Sequence, residues 1–149
     1  MTFAASAVLI FFATITGISK GSGMVAPDMA TMLAFIFTDA AIAKTELQKL
    51  LVETADRTFN SITIDSDTST NDSVIAFSTG LAGNRNDHSI ESEELSPFRE
   101  AFHDVMLDLA HQIVRDGEGA SKFVEVLITG AENNSAAKTI GMGIANSPL

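Results

Sequence analysis

The sequence contains no cysteine, and its 9 Lys and Arg are outnumbered by 19 Asp and Glu. Without cysteine there is no disulfide and no thiolate nucleophile, zinc loses its most characteristic ligand, and a reducing compartment is permitted. A formal net charge of −10 disfavours a phosphate backbone as ligand, because nucleic-acid affinity rests on cationic neutralisation. No nucleic-acid partner is therefore expected. A long apolar run is lacking too. The segment FAASAVLIFFA, residues 3–13, falls short of the about 20 apolar residues a membrane-spanning helix takes. No Lys or Arg precedes Lys20, so the positive region of a signal peptide is absent as well. This segment is expected to be a buried strand or a foreign leader, and no membrane partner is expected.

What the sequence does have is apolar content. Hydrophobic residues make up 46% of its 149 positions, 10 of them Phe, enough for one domain with its own core. Past residue 31, strand and helix patterns alternate. MLAFIFT, residues 32–38, is a short continuous apolar run, the form of a strand covered on both faces. Leu47, Leu50, Leu51, Ala55 and Phe59 recur at helical spacing and predict a helix over 44–59. SITID, with Ile62 and Ile64 at period two, predicts a short strand. STNDSVIAFSTG suggests a Ser or Thr cap opening a short helix that ends near Gly80. Residues 82–94 are polar enough for a surface loop.

Ser96 before Pro97 makes an N-cap and first-turn pair, and Leu95, Phe98, Phe102, Val105, Leu109 and Ile113 form one stripe up to Gly117. SKFVEVLIT, residues 121–129, is rich in β-branched residues and predicts a strand, and NSAAKTIGMGIANSP closes with a small-residue helix before Pro148. The expected class is α/β or α+β, without internal repeats.

Several polar groupings are candidates for chemistry. Asp65, Asp67, Ser69 and Asn71 place oxygens at alternate positions in DSDTSTND, but an EF-hand needs Gly at its sixth position and Glu at its twelfth, where Thr70 and Ala76 stand. No metal is expected there, and capping by Ser69 or Thr70 beside a polar cleft is the alternative. His88, His103 and His111 lack the spacing that sets two ligands on one helix face, and are expected to be solvated or structural. Glu118 stands between Gly117 and Gly119 at a helix C-terminus. It is either a solvated turn residue or a ligand that the glycines let approach closely. Lys20 is either a solvated loop charge or a cation aimed at a carboxylate.

Thr31 follows a loop broken by Gly21, Gly23 and Pro27. A Thr hydroxyl is a poor nucleophile without a base beside it. Cutting the chain between Ala30 and Thr31 would let the new α-amino group, with a pKa of about 7.7–8.0, serve as that base. On chemistry alone, an ordinary Thr leading into a strand remains the alternative.

The stretches GISKGSGMVAPDMATMLAFIFTDAAI, RTFNSITIDSDTSTND, DGEGASKFVEV and IANSPL, in that order across roughly residues 17–149, resemble the ornithine acetyltransferase (glutamate N-acetyltransferase) family. The resemblance implies a layered sheet-and-helix fold with an N-terminal-nucleophile-like arrangement. It implies self-cleavage between Ala30 and Thr31, after which Thr31 takes acetyl from N-acetylornithine, or in some members acetyl-CoA, and passes it to glutamate. Lys20 and Glu118 then correspond to substrate-binding residues. Residues 1–30 correspond to the end of an α chain behind an unmatched apolar leader, and residues 31–149 to a β-chain-like catalytic domain.

The same resemblance implies a cytoplasmic enzyme of arginine biosynthesis with no cofactor beyond an acetyl-CoA donor, working as an α/β hetero-oligomer. Family members are longer. Their N-terminal half carries a Thr-Gly oxyanion-hole segment, and a tail beyond IANSPL contributes Asn and Thr, so a complementary α-chain segment is an expected partner. The alternative is a non-catalytic remnant or assembly partner of the same fold.

Overall fold

The computed structural model describes residues 3–9, 13–21, 32–64, 66, 71–86 and 88–147. Four strands, β1 (Phe3–Leu9), β2 (Thr14–Lys20), β3 (Leu33–Thr38) and β4 (Ser73–Ser78), form one sheet in the order β1-β2-β3-β4. The first two pairings are antiparallel; β3 and β4 run parallel, joined through helix α1 (Lys44–Arg57). That crossover is what a parallel pair demands, since a tight turn cannot return the chain in the same direction. Helix α2 (Ser96–Arg115) and helix α3 (Asn134–Ala145) follow. The class is mixed α/β, as the alternating pattern predicts.

The core lies on one face of this sheet. Ile15 from β2 and Ala34 and Ile36 from β3 are fully buried, and α2 covers them with Phe98, Phe102, Val105, Met106 and Leu109. Every member of the stripe read from Leu95 to Ile113 is buried. Gly17 sits where α2 crosses β2: a Cβ there would meet Leu109 Cδ1 at 2.7 Å and Val105 Cγ1 at 3.1 Å. The opposite face carries Ile18, Phe37, Ile75 and Phe77, all partly exposed, with Phe37 and Phe77 stacked at 5.2 Å. Among the described residues β3 is therefore covered on one face rather than the two its apolar run suggests.

Three local expectations are corrected. Residues 73–78 form β4 rather than a helix, because β3 offers a parallel edge and the run alternates Val74 and Ala76 toward the core with Ile75 and Phe77 away from it. SITID is not a strand. Residues 59–61 make a 3₁₀ turn, and Ile62 and Ile64 pack on the core without strand pairing. SKFVEVLIT is not paired with any strand among the described residues, and strand propensity without a neighbouring ladder does not make a strand. Its Phe123 instead lies edge-on to His111 at 5.0 Å and under the Arg115 guanidinium at 4.6 Å.

Helix boundaries also differ by a residue. Leu95 occupies the N-cap of α2, so Ser96 opens the helix and its hydroxyl pairs with Glu100 rather than capping. In α3 a side chain caps the helix: Asn133 Oδ1 accepts from the Ala136 N–H at 2.9 Å.

Candidate functional site

The pairing register brings Lys20, Leu33 and Ser73 into one row at the end of the sheet where β2 stops and β3 and β4 start. Their neighbours Ser19 and Ala34 are buried beneath the helices, so strand alternation puts Lys20 and Leu33 on the open face. Lys20 is half-buried there.

Met32, just ahead of β3, is held from both sides. Its N–H donates to Asp72 Oδ1 at 2.9 Å, and its carbonyl accepts from the Ser73 N–H at 3.0 Å. Gly21 closes against it: its φ is +149°, and a Cβ at that position would lie 3.1 Å from Met32 Cα. A side-chain-free residue with access to positive φ is what lets the backbone beyond Lys20 pass this close.

Ala30 and Thr31 lie outside the described residues, as do Asp65 and residues 67–70 of the acidic loop. Among the described residues no group of three or more His, Asp or Glu side chains converges as a metal site would need.

Glu118 is placed by a turn. After α2 ends, the Ala120 N–H donates to the Gly117 carbonyl at 2.9 Å, and Gly119 takes φ +75°, the geometry of a glycine at the third position of a type II turn. Glu118 occupies the exposed corner and makes no hydrogen bond or ion pair among the described residues. Gly117 beneath it is buried against Ile64, whose Cγ2 would lie 3.0 Å from an added Cβ. The structure thus joins Lys20 to the Met32 end of β3 but does not pair Lys20 with Glu118.

Two surface ion pairs of α1 shift the ionisation of their members. A hydrogen bond from Lys49 holds Glu91 below the usual carboxylate range, and the same bond raises Lys49. Lys138 of α3 likewise lowers Asp56, donating to its Oδ1 at 2.5 Å and to its backbone carbonyl at 2.9 Å.

Asp72 is the residue that sequence reasoning missed. It reads as one more oxygen in an acidic loop, and the signal that distinguishes it is its place directly before a strand, where a short side chain can return to a neighbouring backbone N–H.

An α/β chain with a glycine at the end of one strand packed against a clamped residue at the head of the strand paired with it is the class these features define. Residues 3–149 match the ArgJ family, and the chain belongs to it; the match includes the apolar segment at Phe3–Leu9. The arginine biosynthesis bifunctional protein ArgJ of Agrobacterium fabrum is 58% identical over 139 residues, 91% of this chain and 34% of that protein. Its counterpart from Nitrobacter winogradskyi is 56% identical over 139 residues, 91% of this chain and 33% of that protein. The crystal structure of ArgJ from Bacillus halodurans superposes with a TM-score of 0.74 at 44% identity, covering 78% of this chain and 55% of that one. The chain spans about a third of the length of the curated relatives it matches. No helix among the described residues is long and apolar enough to cross a membrane.

Proposed function

We propose that this chain forms part of a cytoplasmic acetyltransferase of arginine biosynthesis that moves acetyl from N-acetylornithine, or from acetyl-CoA, to glutamate through an acetyl ester on Thr31. The observation that carries the reading is the two-sided clamp on Met32, one residue beyond the Ala30–Thr31 bond, in a chain of the ArgJ family. A loop that enters a rigid strand through a fixed residue suits attack by the Thr31 hydroxyl on the Ala30 carbonyl carbon. The acyl group passes from nitrogen to oxygen, and water then hydrolyses the ester, leaving the Ala30 carboxylate and a free Thr31 amine. In turnover the same hydroxyl attacks the acetyl carbonyl, with the amine taking its proton and returning one to the departing amino group. The acetyl ester then yields to the glutamate amine, so the cycle has two half-reactions.

Lys20 supplies a cation for the α-carboxylate common to both amino-acid substrates, and Glu118 an anion for a substrate ammonium. The partner in this reading is a complementary α-chain segment in an α/β hetero-oligomer. Intact-mass spectrometry tests it: cleavage before Thr31 is expected in the presence of that segment, none in Thr31→Ala, and a slower reaction in Thr31→Ser. Cleavage that persists in Thr31→Ala removes Thr31 from the mechanism. A wild-type chain that neither cleaves nor takes acetyl from N-acetylornithine with the segment supplied establishes the second reading, a non-catalytic assembly partner of the same fold.

A further inference from the structure

We infer that Asp72 is a positioning residue for Thr31, acting through the peptide bond that joins Thr31 to Met32; the inference rests on the Thr31 reading above. The N–H that Asp72 Oδ1 accepts at 2.9 Å belongs to that peptide group. The group is planar, so its carbonyl carbon and the Thr31 Cα share a plane with Met32 N and Cα. The Ser73 N–H, 3.0 Å from the Met32 carbonyl, anchors the next peptide, and the Gly21 backbone passes so close that an added Cβ would lie 3.1 Å from Met32 Cα. With the plane held, the backbone torsion that remains to aim the Thr31 hydroxyl and amine is rotation about the Thr31 Cα–C bond.

The main-chain half of the clamp survives any substitution at position 72, whereas the half that orients the Thr31–Met32 peptide is a side-chain oxygen alone. Asp72 is exposed and does not belong to the core, so its removal leaves the packing beneath β3 intact.

The test compares Asp72→Ala with Asp72→Asn, which keeps an acceptor oxygen at the same reach, in the full chain with its complementary segment. Loss of aim costs rate rather than affinity. Asp72→Ala is expected to slow cleavage before Thr31, and to lower kcat for acetyl transfer by the cleaved enzyme, by about 10- to 100-fold. KM for N-acetylornithine should hold, and the melting temperature should stay close to that of the parent. Asp72→Asn is expected to restore both rates nearly to the parent values. Parent-like cleavage and kcat in Asp72→Ala overturn the inference, as does an Asn variant as slow as the Ala variant. Thr31→Ala runs alongside. If it still cleaves at the same bond, the Thr31 reading has failed. If it is inert while Asp72→Ala is fully active, only the role of Asp72 has failed.

Discussion

On β2, two neighbouring positions of the same face carry opposite expectations. Gly17 and Ser19 both turn toward α2, but Gly17 has no room for a methyl group, while the Ser19 hydroxyl is buried with no hydrogen-bond partner among the described residues. Gly17→Ala forces Leu109 and Val105 off their packing and is expected to destabilise the chain by about 1–3 kcal/mol. Ser19→Ala removes an unpaired buried hydroxyl and is expected to stabilise by about 1 kcal/mol. Chemical denaturation of both variants reads the two signs. A Gly17→Ala chain as stable as its parent would mean that α2 shifts freely over β2, and a destabilised Ser19→Ala would show that the hydroxyl is satisfied in solution. Lys20, the next residue, faces the other way, as strand alternation requires.

At the scale of elements, α3 is held differently from α1 and α2. None of its residues is buried, and Lys138 ties it to the end of α1 by reaching the Asp56 carboxylate and carbonyl. The hydrogen bond from Lys138 lowers the pKa of Asp56 and so favours its ionised form. Its contribution is therefore complete above the ordinary aspartate value of about 3.9 and is lost as pH falls through the lowered value in the folded chain. Hydrogen exchange should show α3 amides losing protection in that acidic window before those of α2, and Asp56→Ala should reproduce the loss at neutral pH. Equal protection of α3 in parent and variant would assign its docking to something other than this pair.

The same contrast explains what was legible in the sequence. The stripe of α2 is visible because one helix buries one face, and periodicity records burial directly. β4 is obscured because a Ser- and Thr-rich lead-in imitates a helix cap, and what decides between the two is the parallel edge of β3, 40 residues away in register. SKFVEVLIT fails in reverse: its composition is that of a strand, and no described neighbour supplies a ladder. In the site, the glycine-rich stretch after Lys20 is readable, but the sequence suggests a loop charge where the structure makes Lys20 the last residue of β2, paired with Leu33. The grip of Asp72 on Met32 is not readable, since a single side-chain hydrogen bond across a fold leaves no periodic trace.

For the whole molecule, the proposed cut has an architectural consequence. It falls between β2 and β3, which are paired from Ile15–Thr38 to Lys20–Leu33, and α2 lies over β2 and β1 from the far side of the cut. The two pieces would thus share one core, with Ile15 of the first buried among the helices of the second. The pieces should stay together under native conditions and part only in denaturant. The uncut chain closes its sheet intramolecularly, at an effective concentration set by a short loop; the cut one must find its other half in solution. Refolding yield after dilution from denaturant should accordingly depend on protein concentration for the cleaved protein and not for Thr31→Ala. Equal dilution behaviour would mean that the pieces do not share a cooperative core. A protein built this way has hysteresis: it is made along one path, as a single chain, and once matured it cannot retrace that path at the dilutions where the single chain still folds.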